Sequence, residues 1–178
     1  MNNKYIMFHG SIAEIKSFSE DMVGKGGDPN SALGLHVTEI PSISFQYAEL
    51  QSVLEKKEPR IYILDIPFEK EDFIFSSEDF YGCDDEDTHV HEHFIDLRKE
   101  YINNEVDIVH FEGGEEPSSI VMKPEHAKIL SCIIGKEKIE AFIEKFEEEF
   151  IPYDDYEKRN SVVKDFLTPN KQRRRNKP

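Results

Sequence analysis

Short apolar runs broken by glycine and proline, with two longer stretches of helical spacing, set the hydrophobic pattern of this 178-residue chain. Residues 5–9, "YIMFH", read as a strand that ends in His9, Gly10 and Ser11. In "IAEIKSF" (12–18) the apolar positions recur near one helical turn, which predicts a short helix or turn. "GKGGDPNS" (24–31) is a loop by its glycines and proline, and "ALGLHVTE" (32–39) a short strand. Pro41–Ser42 can open a helix through residues 42–57, with Ile43, Tyr47, Leu50 and Leu54 as its apolar stripe. "RIYILDI" (60–66) is the clearest strand, and "FIFSSEDF" (73–80) a short strand and turn.

An acidic loop, "CDDEDTHVHEHF" (83–94), leads into a helix whose stripe is Phe94, Leu97, Tyr101 and Ile102. Residues 106–112 and 118–124 read as strands around the glycine loop "GGEEP", and "EHAKILSCII" continues extended after a turn at Pro124. In "KEKIEAFIEKFEEEF" (136–150), Ile139, Phe142, Ile143, Phe146 and Phe150 form a strong amphipathic stripe that predicts docking on the main sheet. A weaker helix runs through "YEKRNSVVKDFL" before Pro169. The order predicts an α+β fold with a mostly antiparallel split sheet. The expected division is a main domain at 1–135, a helical extension at 136–168 and a basic flexible tail at 169–178.

Composition narrows the partners. The chain is 38% hydrophobic and 33% charged, with a net charge of −15. Its last eight residues hold five of the 22 basic groups and no acid, so the first 170 carry 17 Lys and Arg against 37 Asp and Glu. Phosphate contacts need a basic face, so a protein partner is favoured over nucleic acid for the acidic body. The tail is suited to an acidic partner. No apolar run approaches the ~20 residues of a membrane span, and residues 1–4 lack a signal-peptide core. Two cysteines, Cys83 and Cys132, give no disulfide framework and no zinc spacing. A cytoplasmic protein is expected.

Three stretches carry candidate chemistry: His9–Gly10–Ser11, "GLHVTEIPSISFQYA" (34–48) and "EGGEEPSS" (112–119). Glycine after the histidine permits a close backbone approach that a Cβ would block. "MFHGS", then Gly34–Leu35–His36–Val37–Thr38, then Tyr47–Ala48, then "VDIVHFEGGEEPSSIVMKPEHAKIL" follow one another in an order that resembles the ADP-ribosyltransferase superfamily, small bacterial or phage type. The resemblance covers roughly residues 5–131. It implies that superfamily's split antiparallel sheet, a toxin- or effector-like role, and a cleft that takes NAD+ as co-substrate. His9 would hydrogen-bond the nicotinamide ribose and the Gly10 backbone would meet the nicotinamide amide, with Ser11 beside them. His36 would flank the nicotinamide with Thr38 nearby, and Tyr47 would stack there or pack in the core. The implied reaction cleaves the nicotinamide–ribose bond and passes ADP-ribose to a macromolecular nucleophile.

The carboxylate expected to stabilise the developing cation has no counterpart in register, because Ser118 stands in its place. Glu115 and Glu116 are the nearest acids, and a bulge would bring Glu116 into position. Three readings follow: a transferase with His9, His36 and Glu116 as catalytic residues; a glutamate-free transferase using His9 and His36; or an inactive module that binds NAD or ADP-ribose and a protein partner. "HVHEH" carries a separate alternative. His89, His91 and His93 beside Asp84, Asp85, Glu86 and Asp87 are chemically able to hold zinc in a metal-dependent hydrolase. An N-cap at Asp87 or Thr88 would instead place them at a helix entry, where alternate positions do not converge.

Overall fold

The structure is a computed structural model that describes residues 3–25, 29–74, 89–111, 118–148 and 150–168, with side chains 29–30 and 89–91 excepted. Cys83, the acidic run 84–87, Glu115, Glu116 and the basic tail therefore lie outside the described residues. Two sheets form the framework. In the first, β1 (Asn3–Ser11), β3 (Arg60–Phe68) and β7 (Lys128–Ile134) lie in the order β1-β3-β7, all antiparallel. In the second, β2 (Leu35–Val37), β4 (Glu71–Ile74), β5 (Ile108–Phe111) and β6 (Ser118–Val121) lie in the order β2-β6-β5-β4. Its β4–β5 pair is parallel and the others antiparallel. Four helices are described: α1 (Pro41–Glu55), α2 (His89–Asn103), α3 (Lys136–Glu147) and α4 (Tyr156–Leu167). The fold is α+β with a split, mostly antiparallel sheet.

Among the described residues, the sheets are joined by one backbone bridge. Phe8 N–H donates to the Thr38 carbonyl at 2.8 Å, and Thr38 N–H donates to the Phe8 carbonyl at 2.9 Å. Alternation along β1 sends Tyr5 and Met7 into a core shared with Leu35, Val37, Ile108 and Val121 of the second sheet. Ile6 and Phe8 face the other way, under Ile139, Phe142 and Phe146 of α3 and Val163 of α4. A third cluster packs Phe94 of α2 on Val109, Ile120 and Met122. The layers therefore run α3/α4, first sheet, second sheet, α2.

Three local expectations change, and one alternative is decided. Residues 12–18, expected as a short helix or turn, are bends and not a helix, because the Tyr62 hydroxyl ties their backbone to the core. It donates to the Ala13 carbonyl at 2.6 Å and accepts from Ile15 N–H at 2.7 Å. Helix α2 starts at His89, so "HVHEH" is helical. Of the stripe expected on α1, Ile43 is buried, but Tyr47, Leu50 and Leu54 are 56%, 64% and 74% exposed. Pro41, Ser44, Phe45 and Ala48 complete the packed face with Ile43, because α1 docks through its first two turns. Phe150 lies beyond the end of α3 and is 92% exposed, so it takes no part in that stripe.

Phe142 is fully buried, edge-on to Phe8 at 5.8 Å and to Phe166 at 5.1 Å. Phe142→Ala is expected to cost ~3–5 kcal/mol in denaturant unfolding, and Phe150→Ala less than ~0.5 kcal/mol.

Candidate functional site

The seam between the sheets gathers the residues singled out at the ends of β1 and β2. His9 lies on the same face of β1 as Tyr5 and Met7, half-buried, with its ring edge-on to Phe18 at 5.3 Å. Its Nδ1 is 2.9 Å from the His36 carbonyl. A carbonyl only accepts, so Nδ1 carries the proton and donates, and Nε2 keeps its lone pair. Burial pushes the His9 pKa below its ordinary value. The nearby His36 ring adds to that effect, while the His36 carbonyl opposes it. A neutral imidazole of fixed tautomer is thus presented at the seam.

The contact between the two histidines is ring to backbone. Leu35 and Val37 point into the core between the sheets, so alternation places the His36 side chain on the opposite face of β2. Thr38 is buried. Beyond its bridge to Phe8, its Oγ1 accepts from Ile40 N–H at 3.2 Å, just ahead of α1. Ser11 Oγ accepts from Ala13 N–H at 3.1 Å and shapes the turn that leaves β1. Gly10 faces α1 so closely that a Cβ there would stand 1.8 Å from the Ser44 carbonyl oxygen. Glycine is therefore required for the helix to cross the strand. Tyr47 belongs to the exposed face of α1, which excludes the core-packing role. Glu116 lies outside the described residues.

The helical setting of residues 89–93 separates the three histidines. At about 100° per residue, position 91 falls on the side of α2 opposite positions 89 and 93. Among the described residues, no group of three or more His, Cys, Asp or Glu is placed to hold a metal ion.

A second polar group sits on the other side of the Phe8–Thr38 bridge, and no motif marks it. Glu71 on β4, His110 on β5 and Ser119 on β6 all face the first sheet. His110 Nδ1 is 2.8 Å from Ser119 Oγ, and His110 Nε2 is 3.2 Å from Glu71 Oε2. The Tyr5 hydroxyl donates to the same carboxylate oxygen at 2.6 Å. Burial, and then that carboxylate, push the Tyr5 pKa far above its ordinary value. Phe73 stacks on the His110 ring at 5.1 Å, and Tyr5 meets it edge-on at 5.5 Å. A cavity of about 90 Å³ opens here, lined by Glu39, Phe73, His110, Phe111, Ser118, Ser119 and Tyr153. Burial raises the Glu39 pKa, and Arg159 partly offsets this. The available sequence signal was the alternation of "DIVHF", which places His110 on the core face with Ile108.

Two outcomes test this geometry. Gly10→Ala is expected to destabilise the fold by ~3 kcal/mol, the upper end of overpacking costs, because backbone stands in the way. Since the folded His9 pKa lies below the unfolded 6.5, the unfolded chain binds more protons as pH falls. The His9 contribution to stability is thus complete above pH 6.5 and lost below it. His9→Asn, which keeps a donor toward the His36 carbonyl, should flatten that part of a denaturant-midpoint profile from about pH 8 to about pH 5.

No protein-family model matches the chain, and no curated protein sequence matches it. Among solved structures, the crystal structure of the M. tuberculosis MbcT-MbcA toxin-antitoxin complex aligns with a TM-score of 0.49 and 7% identity, over 80% of this chain and 91% of that one. A likeness of that size carries no argument about function.

Proposed function

We propose that the chain is an NAD-dependent ADP-ribosyltransferase that modifies a macromolecular target, with a protein favoured over nucleic acid. The observation that carries this reading is the neutral His9 imidazole, held at the seam by the His36 carbonyl, within the ordered motifs "MFHGS" and "GLHVTE". A bare Nε2 accepts a hydrogen bond from a ribose hydroxyl, the role the superfamily resemblance implies for this position. The Gly10 backbone, which alternates with the β3 ladder as Phe8 does, faces the nicotinamide amide in this reading, with Ser11 beside it. Arg60 pairs with Ser11 across β1 and β3, and alternation puts it on the same face of β3 as Tyr62. That places one cation at the His9 end of the seam, suited to the NAD pyrophosphate.

In this reading the nicotinamide–ribose bond breaks with its electron pair going to nicotinamide. The acceptor nucleophile then attacks the ribose carbon and gives up its proton. Glu116 is the candidate carboxylate for the cationic transition state, and His36 acts through its backbone carbonyl, which holds the His9 ring. Ser118, at the start of β6, favours a second reading: the cleft binds NAD or ADP-ribose and a protein partner without turnover.

The test incubates the full chain with labelled NAD+ and cell lysate. Label transfer and nicotinamide release are expected. His9→Ala should lower both by ~100-fold while circular dichroism stays unchanged. NAD+ binding by calorimetry without turnover would select the second reading, and neither binding nor turnover would overturn both.

A further inference from the structure

The Ser119–His110–Glu71 network has a defined polarity. Glu71 as a carboxylate only accepts, so His110 Nε2 carries a proton and donates to it. Nδ1 is then bare and accepts the hydroxyl proton of Ser119. A second donor, the Tyr5 hydroxyl, holds the carboxylate in place, and Phe73 and Tyr5 fix the ring plane. Nucleophile, base and orienting acid therefore stand in one hydrogen-bonded line. The first two line an open cavity. Ser119 is 5% exposed, so the cavity is its route to a substrate.

We propose that Ser119 is an activated serine nucleophile, with His110 as its general base and Glu71 as the residue that positions His110, acting on small acyl esters. A cavity of about 90 Å³ with aromatic walls admits a short acyl group rather than a long chain. Glu39 on its wall and the chain's net charge of −15 disfavour anionic donors, so the ester is uncharged or cationic. Ser119 Oγ bonds to the ester carbonyl carbon while its proton passes to His110 Nδ1. Collapse of the adduct breaks the carbon–oxygen bond, and the leaving alkoxide takes that proton. Water, deprotonated by the same nitrogen, then releases the acid and restores Ser119. None of these steps uses NAD+ or His9.

The test treats the full chain with an uncharged alkyl fluorophosphonate and maps the label by peptide mass, alongside p-nitrophenyl acetate hydrolysis. The serine oxygen displaces fluoride, so one label on Ser119 is expected. Ser119→Ala should abolish it, and His110→Gln should slow it by ~100-fold, as for loss of a general base. Ser131→Ala, on β7, should label like the wild type. Glu71→Gln conserves shape and should slow labelling at least ~10-fold; it keeps the test open if the His110 variant does not fold by circular dichroism. No label on the folded wild-type chain, or equal rates in wild type and the His110 and Glu71 variants, would overturn the proposal.

Discussion

Two hydrogen bonds between Phe8 and Thr38 join the sheets in register, and the surrounding contacts converge on them. The Phe8 ring is buried beneath α3, with Phe146 edge-on at 5.1 Å. Arg159 of α4 lies over both rings, 5.7 Å from the Phe8 centroid and 5.0 Å from that of Phe146. The same guanidinium donates to the carbonyl of Glu39, the residue after Thr38, and to that of Ile151 at 3.3 Å. Burial lowers its pKa to about 10, which still leaves it charged at neutral pH. One buried cation therefore clamps both sides of the bridge, and two carbonyls, two aromatic faces and the Glu39 carboxylate offset part of its desolvation. The C-terminal helices, though last in the chain, hold the junction from which the seam opens.

Splitting a sheet at this bridge leaves strand ends on either side of it that cannot all bury apolar groups. On one side His9 finds the His36 carbonyl, and on the other Glu71, Tyr5, His110 and Ser119 satisfy one another. Both groups are buried or half-buried, so their hydrogen bonds fix tautomers that solvent would otherwise mix. Fixed tautomers give each histidine one bare nitrogen, the property a hydrogen-bond acceptor or a base requires.

Much of the framework was legible because it rests on local pattern. The run Ile61–Ile66 and the 3.6-residue spacing of Ile139, Phe142 and Phe146 lead directly to β3 and α3. The buried face of α1 was not legible, since contact between Gly10 and the Ser44 backbone turns the helix onto its first two turns. Phe150 keeps the spacing of its helix after the helix has ended. "HVHEH" reads as alternation only if extended, and its start inside α2 removes that premise. The Glu71–His110–Ser119 line comes from three strands, one of them in a parallel pair, with partners 39 and 9 positions apart. Such an arrangement has no one-dimensional signature.

The most direct measurement is a histidine-resolved NMR titration of the full chain with NAD+. The account predicts saturable shifts of the His9 imidazole signals, with the His9 Nε2 resonance moving as it accepts a hydrogen bond. Unchanged His9 signals at saturating NAD+ would contradict it.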